Sequence, residues 1–498
     1  MRLTFEEIAA FTEGVLAVAP RPGVLACGLT WDSRAVNPGD LYVALPGEHV
    51  DGHAFVAAAL AAGASGALVA REVDEQTREL AQERGCAVVR VADTAQAVVD
   101  LARAWRGRLS GRVIGLTGSC GKTTTKNLVR DVLAAAFSVV ATQANQNNEL
   151  GVPRTILAAD EDTQAVVVEM GMRGSGQIAA LCEVVRPDWG IVTNVGESHI
   201  ELLGSRENIA RAKGELLCAL PAGTGKAFLN GEDDYSGFLT RHAGLAGRGV
   251  AVVGYGRCGA PLTALSDGTG VDAAVWAQDV ALDGQGRPRF TLCARGFAGA
   301  GSGEGAGAGA VERAECALEL RGLHNVGNAC AAAAVGRASG MPLELIARAL
   351  AGAQPESGRQ EMIAAPGGFT VMNDAYNANP DSMRAALSTF CALEVAGRRI
   401  AVLGDMGELG DHAPACHERV GAFAATLPLD QLVCVGDLSR HIADAAERAG
   451  MPAERVARVA DGDEALAALR GQVCPGDAVL VKASHFMELE RVVKGLVG

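Results

Sequence analysis

A short stretch near residue 118 carries the residue types that bind the phosphates of a nucleotide. An apolar run, residues 112–116, leads into Thr117-Gly118-Ser119-Cys120-Gly121-Lys122-Thr123-Thr124, and a helix-compatible run, residues 126–137, follows. Glycines allow backbone N–H groups to curl around an anion, and the helix N-terminus adds partial positive charge. We expect Lys122 to reach the β- and γ-phosphates and the Thr123 hydroxyl to bind Mg²⁺. The alternative is an ordinary glycine turn between a strand and a helix.

Two further strand candidates end in groups that bind metal ions. Residues 164–169 end in Glu169, and residues 190–194 lead after a short loop to His199. Because open parallel sheets place ligands at the carboxyl ends of their strands, we expect Thr123, Glu169 and His199 to converge near one phosphate group. Such ligands suit Mg²⁺ or Mn²⁺. Taken alone, Glu169 could instead pair with a helix N-terminus, and His199 could be an ordinary loop histidine.

Polar residues also collect in four other places along the chain. Residues 373–380 read Asn-Asp-Ala-Tyr-Asn-Ala-Asn-Pro, and residues 403–410 read Leu-Gly-Asp-Met-Gly-Glu-Leu-Gly. Both follow strand candidates, so they predict an active-site wall, although the same residue types build ordinary turns. Asn325, before the helical run 329–338, could bind a ligand or cap that helix. Arg34 could be a surface charge or a phosphate anchor.

The order of strand and helix candidates predicts an α/β protein of three domains. A chain of 498 residues is too long for one hydrophobic core. Strand candidates lie at 41–45, 66–70, 87–91, 165–169, 190–194, 369–373, 399–403, 432–435 and 478–482. Their alternation with helical runs indicates mostly parallel sheets. We place the domains at residues 1–108, 109–353 and 354–498. Residues 298–310 are almost all glycine and alanine, which predicts a flexible surface insertion.

Composition excludes several classes of protein. The formal net charge of −14 argues against a nucleic-acid-binding protein, which is usually basic. The 13 cysteines are scattered without a Cys-x-x-Cys pair, as in proteins whose thiols stay reduced in the cytoplasm. The first residues lack the pattern of a signal peptide, and no apolar run is long enough to predict a membrane span. We therefore expect a cytoplasmic location.

These motifs together resemble those of the Mur ligase family over nearly the whole chain. The resemblance rests on residues 117–124, on residues 145–153 (Asn-Gln-Asn-Asn-Glu-Leu-Gly-Val-Pro), on residues 324–328 (His-Asn-Val-Gly-Asn), and on the 373–380 and 403–410 segments. The last two segments are typical of the family branch that adds D-alanyl-D-alanine. The Asp-Asn-Pro-Arg motif of the diamino-acid-adding branch is absent. Residues 32–34 and 39–45 match the family's UDP-binding domain.

The resemblance implies a fold and a reaction. The fold would comprise an N-terminal UDP-sugar-binding domain, a central parallel-sheet ATPase domain with a phosphate loop, and a C-terminal Rossmann-like domain that closes over the substrates. The reaction would be ATP-dependent ligation of D-alanyl-D-alanine to UDP-N-acetylmuramoyl-tripeptide through an acyl phosphate. It would require ATP and Mg²⁺, with two ions expected and Mn²⁺ as a possible substitute. We expect a monomer with these small-molecule substrates and no nucleic-acid partner.

The resemblance also implies site residues. Expected catalytic groups are Lys122, His199 and Lys213, and in family members a lysine at the place of Lys213 can be carbamoylated and help to hold the second metal ion. Expected nucleotide-binding residues are Gly118, Ser119, Cys120, Gly121, Lys122, Thr123, Thr124, Asn325, Asn328, Arg359 and Asp374. Expected substrate-binding residues are Asp32, Ser33, Arg34, Asn147, Asn148, Asn377, Asn379 and Asp405. Expected metal ligands are Thr123, Glu169, His199 and Lys213.

The chain departs from the family pattern at three places. Ala144 stands where glycine is usual, Arg173-Gly174-Ser175 replaces Asn-His-Pro, and residues 482–485 read Lys-Ala-Ser-His in place of Lys-Gly-Ser-Arg. None of these changes removes an ATP-binding or metal-binding group. Alternative functions are another amide ligase of the same fold (a diaminopimelate-adding or folyl-polyglutamate type), a phosphate-loop kinase or ATPase, and an inactive relative that acts as a scaffold.

Overall fold

A computed structural model describes residues 1–47, 50–297 and 310–498 of the chain. Within these residues the strands form three separate β-sheets, which follow one another along the chain. Each sheet is mostly parallel and carries helices between its strands. The three-domain α/β architecture expected from the sequence is therefore confirmed. The exact boundaries at 108/109 and 353/354 stay predictions.

The first sheet has five strands in the order β1-β5-β4-β3-β2, and only the β1–β5 pair is antiparallel. Its elements are α1 (Phe5–Phe11), β1 (Val15–Val18), β2 (Gly28–Thr30), β3 (Asp40–Val43), α2 (Val56–Ala62), β4 (Gly66–Val69), α3 (Glu75–Arg84), β5 (Ala87–Arg90) and α4 (Thr94–Arg106). Trp105 of α4 is fully buried, and its indole N–H donates to the carbonyl of Ala159, which anchors the first domain on the second.

The second sheet has nine strands in the order β14-β13-β12-β11-β10-β9-β6-β8-β7. Its first part comprises β6 (Arg112–Thr117), α5 (Lys122–Ala134), β7 (Val139–Ala141), α6 (Gly151–Ala158), β8 (Ala165–Glu169), α7 (Gln177–Val185), β9 (Trp189–Val192), α8 (Ile200–Leu203) and α9 (Arg206–Cys218). Its second part comprises β10 (Lys226–Asn230), α10 (Ser236–His242), β11 (Ala251–Gly256), β12 (Ala273–Leu282), β13 (Pro288–Arg295), β14 (Glu312–Ala317), α11 (His324–Ala338) and α12 (Leu343–Ala351).

The third sheet has six strands in the order β15-β16-β20-β17-β18-β19, and only β15 is antiparallel to its neighbour. Its elements are β15 (Glu361–Ala364), β16 (Thr370–Asn373), α13 (Pro380–Cys391), β17 (Arg399–Gly404), α14 (Ala413–Ala424), β18 (Gln431–Val435), α15 (Arg440–Arg448), β19 (Val456–Val459), α16 (Gly462–Leu469), β20 (Ala478–Lys482) and α17 (Glu490–Val497). Short 3-10 turns lie at Gly52–Phe55, Ala246–Arg248, Gly410–His412, Ala453–Arg455 and His485–Met487.

Two local features fix where the polar ends of these elements point. β8 is buried along its whole length, because a central strand covered by helices on both faces needs apolar side chains on both. Its final residue, Glu169, is therefore drawn into the interior. α13 begins at a capping box in which the Asn379 side chain accepts from the N–H of Ser382, and Pro380 occupies the first turn. This cap fixes Asn379 at the N-terminus of α13.

The structure adds detail to the expected mostly parallel sheets and decides one alternative. The middle sheet is mostly parallel, and its strand β13 pairs antiparallel with β12 and β14. α11 begins at His324, so Asn325 lies in the first helical turn and does not cap the helix. The expected flexible segment lies between β13 and β14, and its residues 298–309 are outside the described residues. In the described parts of the chain, no helix is both long and apolar enough to cross a membrane.

Candidate active site

One large cleft collects most of the predicted site residues. Its volume is about 1560 Å³, and the second and third domains supply most of its walls. Predicted residues that line it are Gly118, Ser119, Cys120, Gly121, Lys122, Thr123, Thr124, Asn147, Asn148, Glu169, His199, Lys213, Asn325, Asn328, Arg359, Asp374, Asn377 and Asn379. Residues separated by up to about 260 positions are thus brought to one place, as expected for strand ends of two facing parallel sheets.

The phosphate loop is held in shape by the two residues that follow the neighbouring strand β9. The N–H of Cys120 donates to Asn194 Oδ1 at 2.9 Å, and the N–H of Ser119 donates to the Asn194 carbonyl at 3.1 Å. Gly121 has a φ of 74°, in the left-handed region where glycine is favoured. A Cβ at Gly118 would overlap the side chain of Thr193. The glycines are therefore required by close packing, and α5 begins immediately after them.

Lys122 folds back over this loop. Its ammonium donates to the Gly118 carbonyl at 2.8 Å. Burial lowers the pKa of Lys122, and the nearby Glu169 carboxylate opposes that shift. A cation held over a glycine loop at the start of a helix is a suitable partner for a terminal phosphate.

Glu169 is buried beside the loop, with 1% of its surface exposed. Its Oε1 accepts from Asn147 Nδ2 at 2.9 Å and from the Thr123 hydroxyl at 3.4 Å. Its Oε2 is buried without a hydrogen-bond partner. An orphaned carboxylate oxygen next to a hydroxyl fits a hard cation. Among the described residues no three His, Cys, Asp or Glu side chains form a metal-binding group. One buried carboxylate beside a hydroxyl suits Mg²⁺, which takes one or two carboxylates and completes its shell with phosphate and water.

His199 lies at the same side of the cleft but contacts the third domain. It adopts a left-handed backbone with a φ of 65° at the start of α8. Its Nδ1 lies 2.5 Å from Oε2 of Glu408, an ionic contact when the imidazole is protonated. Arg173 lies 3.4 Å from the other oxygen of Glu408. The His199 contact is the largest cause of a lowered pKa at Glu408, and Arg173 acts in the same direction.

Lys213 approaches the cleft from α9 and is 1% exposed. Burial lowers its pKa well below the ordinary value, and the positive charge of Lys122 acts in the same direction. An amine in this setting is uncharged over a wider pH range than an exposed lysine, and an uncharged amine is the form that reacts with carbon dioxide. The geometry is therefore compatible with the carbamoylation that the family resemblance implies.

The third domain contributes an amide-rich wall. Asn379 accepts a hydrogen bond from the thiol of Cys120 at 3.1 Å, and its Nδ2 donates to the Ser198 hydroxyl at 2.8 Å. Asp374 is buried, and Lys482 donates to its carboxylate at 2.7 Å and to the Asn377 carbonyl at 3.0 Å. Burial raises the pKa of Asp374, and Lys482 opposes the shift. Asp374 is therefore already paired with Lys482, a residue of the same domain, before any nucleotide binds.

The helix after β14 and the interdomain link supply further lining. Asn328 donates to Asn325 Oδ1 at 2.9 Å and accepts from the Thr125 hydroxyl at 3.2 Å, which ties α11 to α5 behind the phosphate loop. Arg359 lies over the ring of Tyr376 with its guanidinium carbon 4.3 Å from the ring centroid. This stacking keeps the Arg359 cation at the edge of the cleft.

Four predicted residues do not line the cleft. Asp405 is buried, and its Oδ1 accepts from the N–H of Ser439 at 2.7 Å, so it holds the loop after β18. The N-terminal group, Asp32-Ser33-Arg34, lies outside the cleft, and Arg34 is paired with Asp32 at 2.9 Å. Trp31, directly before it, is the first-domain residue that lines the cleft in the described part of the chain.

Sequence reasoning missed four residues that the structure brings to the site. They are Lys126, Asn194, Glu408 and Lys482. Asn194 ends the strand candidate at 190–194, and Glu408 lies in the 403–410 segment. The sequence therefore indicates that both positions are polar and follow strands, but it does not show which residues they contact. Lys126 follows the phosphate loop by one helical turn, and that spacing was the available signal.

Comparisons with known proteins identify the family. Family models match three parts of the chain: "Mur ligase family, catalytic domain" at residues 27–106, "Mur ligase middle domain" at 116–336, and "Mur ligase, glutamate ligase domain" at 358–485. A relative from Mycobacterium tuberculosis, named UDP-N-acetylmuramoyl-tripeptide--D-alanyl-D-alanine ligase, is 38% identical over 100% of this chain and 98% of its own length.

Solved structures agree with that result. The crystal structure of MurF from Acinetobacter baumannii matches with a TM-score of 0.79 and 30% identity, covering 100% of this chain and 99% of that chain. The structure of MurF ligase from Thermotoga maritima in complex with ADP matches with a TM-score of 0.71 and 25% identity, covering 95% of this chain and 97% of that chain. The chain belongs to the Mur ligase family.

Proposed function

We propose that this chain uses ATP to join D-alanyl-D-alanine to UDP-N-acetylmuramoyl-tripeptide, releasing ADP and phosphate and forming the pentapeptide precursor of peptidoglycan. The relative from Mycobacterium tuberculosis carries the name of this activity and matches the whole chain. The observation that carries the proposal is that the phosphate loop of the second domain and the amide-rich wall of the third domain face one cleft.

The chemistry requires activation of a carboxylate, which is a poor acyl donor. In the proposed reaction the terminal carboxylate of the tripeptide attacks the γ-phosphate of ATP and forms an acyl phosphate. The amine of D-alanyl-D-alanine then attacks the acyl carbon, and a tetrahedral intermediate collapses and releases phosphate. Positioning the reactants and neutralising charge are the main tasks of the protein, because two anions must meet.

Roles for the cleft residues follow from their positions. Residues 118–124 would bind the ATP phosphates, with Lys122 countering charge on the transferred group. Asn325, Asn328 and Arg359 also line the cleft and would contact the nucleotide. Asn147, Asn148, Asn377 and Asn379 would contact the peptide substrates. Asp374 would reach the nucleotide only by giving up part of its contact with Lys482.

Divalent cations fit the residues around Glu169. Thr123 and Glu169 would hold one Mg²⁺, and Glu169, His199 and carbamoylated Lys213 would hold a second. Bound there, the ions would neutralise charge on the phosphates during transfer. Because Nδ1 of His199 faces Glu408, a metal ion held by this side chain would bind at Nε2.

The UDP-binding role of Asp32, Ser33 and Arg34 rests on the family resemblance. The exposed Arg34 guanidinium lies three positions after Trp31, a residue that lines the cleft, which supports contact with a substrate diphosphate. Because one chain forms the complete cleft, we also propose a monomer. Light scattering coupled to size-exclusion chromatography tests this directly.

A phosphate-release assay tests the proposed function. UDP-muramoyl-tripeptide and ATP are incubated with D-alanyl-D-alanine, with diaminopimelate, with glutamate, or without an amine. Phosphate release is followed over time, and the masses of the products are measured by mass spectrometry. We expect sustained release only with D-alanyl-D-alanine and a product that has gained the dipeptide. The Lys122→Ala variant is the matched control for contaminating ATPases.

The same assay, repeated with UDP-muramoyl-dipeptide or a folate in place of UDP-muramoyl-tripeptide, separates the alternatives. Preference for UDP-muramoyl-dipeptide with diaminopimelate would identify the neighbouring ligase of the family, and preference for a folate with glutamate would identify the folyl-polyglutamate type. Phosphate transfer or ATP hydrolysis that ignores both peptide substrates would indicate a kinase or ATPase. Any of these results would contradict the proposal.

A further inference from the structure

Lys126 is a buried lysine that the proposed chemistry does not use. It lies one helical turn after Lys122 on α5, and 1% of its surface is exposed. An ammonium group removed from water is costly unless other groups compensate its charge and hydrogen bonds. The partners of Lys126 should therefore reveal why a lysine is kept there.

Those partners are a carboxylate and a backbone carbonyl. The Lys126 ammonium donates to the Ala144 carbonyl at 3.2 Å. It also lies 4.0 Å from Oε2 of Glu169, too far for a hydrogen bond. Lys126 thus offsets the negative charge of Glu169 while leaving this oxygen without a hydrogen-bond donor, and Oε2 is indeed an orphan in the described structure.

The carbonyl belongs to a residue in an unfavourable conformation. Ala144 has a φ of 46°, in the left-handed region that residues with a Cβ rarely adopt. The turn that it makes leads directly to Asn147, whose side-chain amide donates to Glu169 Oε1 at 2.9 Å. The carbonyl of Asn147 accepts from the N–H of Gly171, so Asn147 is attached near the end of β8 through both its side chain and its backbone.

We propose that Lys126 is a positioning residue for the cation site: it clamps the Ala144 carbonyl, and the clamped turn holds Asn147 on Oε1 of Glu169 so that Oε2 stays open for a metal ion. The inference rests on the proposed function only in assuming that a nucleotide-bound divalent cation lies at Glu169. It does not depend on which amine or peptide is the substrate.

The test measures nucleotide binding, not ligase activity. Isothermal titration calorimetry gives the dissociation constant of ADP with Mg²⁺ and with EDTA for the wild type, Lys126→Met and Lys126→Arg. Loss of a residue that supports a metal ligand typically weakens metal affinity about 10- to 100-fold. We expect Lys126→Met to weaken Mg²⁺-dependent ADP binding by about that factor and to leave binding in EDTA nearly unchanged. Lys126→Arg should retain part of the effect.

A matched control removes a lysine of the same domain that lies outside the cleft. Lys226 of β10 packs against the ring of Trp189, with its ammonium 5.2 Å from the ring centroid. Lys226→Met should leave Mg²⁺-dependent binding unchanged. If Lys126→Met instead weakens binding equally with and without metal, or has no effect on either, the proposal is wrong.

A second substitution tests the clamp itself. Glycine adopts the conformation of Ala144 without the cost of a Cβ, so Ala144→Gly in the Lys126→Met background should recover roughly 5-fold of the lost affinity. Thermal unfolding of each variant identifies any that fails to fold, and Ala144→Gly alone then supplies the reference for a double-mutant cycle. If the second substitution recovers nothing in a folded protein, Lys126 does not act through the turn and the proposal fails.

Discussion

Oε2 of Glu408, from the third domain, lies 2.5 Å from Nδ1 of His199, from the second. The contact joins two residues separated by more than 200 positions, and it lies at the edge of the nucleotide cleft. Arg173 approaches the same carboxylate. Glu408 therefore contacts two side chains of the second domain and links the third domain to it.

We predict that Glu408→Gln loosens this closed arrangement. The neutral amide keeps the shape of the side chain but loses the charge that attracts His199 and Arg173. Small-angle X-ray scattering of the nucleotide-free protein should give a larger radius of gyration. Glu418→Gln, which breaks an ion pair inside the third domain, is the control and should leave the radius unchanged. An equal radius for Glu408→Gln and wild type would contradict this prediction.

Lys122→Ala should lower kcat by at least about 10²- to 10³-fold, because it removes a preorganised charge at the transferred phosphate. The fold should be retained, since the hydrogen bond that the Lys122 ammonium donates stays within its own loop. Steady-state kinetics and a thermal melt measure both effects. Turnover within a few-fold of wild type in this variant would show that the loop does not act on a phosphate during catalysis.

Lys482→Met should destabilise the protein by about 3–5 kcal/mol, because it leaves the buried Asp374 carboxylate without its partner. Adding Asp374→Asn should restore much of the loss, since the unpaired charge is then removed. Chemical unfolding gives the free energies. If both variants are equally destabilised, the lysine contributes packing and its charge is not needed.

The sequence predicted the local parts of the site well. A strand, glycines, lysine and hydroxyls in that order form a tight turn into α5, because the positive φ of Gly121 and the start of the helix are local features. Hydrogen bonds from the loop to Asn194, which no local pattern predicts, complete its shape. The location of Glu169 was equally predictable, since it ends a strand that is apolar throughout. The three α/β domains followed from the alternation of strands and helices.

The contacts between domains could not be predicted in this way. The Glu408 contact with His199 depends on how two separately folded sheets face each other, and no local pattern encodes that. Asp405 and Glu408 lie three positions apart in one polar segment, yet Asp405 turns inward to Ser439 and Glu408 turns to the cleft. Only the path of the backbone after β17 distinguishes them.

Lys213 should react reversibly with carbon dioxide. Burial lowers the pKa of Lys213 well below its ordinary value, so more of the amine is uncharged near neutral pH. Nuclear magnetic resonance of protein equilibrated with ¹³C-bicarbonate should show a carbamate carbon signal that is lost in Lys213→Met. Lys494→Met, on the last helix, is the control. A carbamate signal that persists in Lys213→Met would assign the modification elsewhere.

His324 should make the nucleotide-free protein less stable in acid. Burial lowers the pKa of His324 to about 4, and its place at the start of α11 also disfavours a positive charge. Between pH 6.5 and about 4 the unfolded chain binds a proton that the folded chain does not. The free energy of unfolding therefore falls as the pH is lowered through this window, by at most about 1–3 kcal/mol for this partly exposed group.

Comparing His324→Gln with wild type isolates the contribution of His324 to the pH dependence of the free energy of unfolding. Chemical unfolding at pH 7 and pH 4.5 should show a smaller difference in the variant. His412→Gln replaces an exposed histidine and should behave like wild type. An unchanged difference in His324→Gln would mean that the imidazole titrates normally in the folded state.

The thiol of Cys120 rests directly on Asn379 across the domain boundary. Burial raises the pKa of this cysteine, so in the closed form it is a protonated and poorly reactive thiol. If the two domains separate, an electrophilic compound could modify the sulfur and leave a bulky adduct at the place that the Asn379 amide occupies. Such a covalent inhibitor would prevent the two domains from closing again, without modifying Lys122 or Glu169.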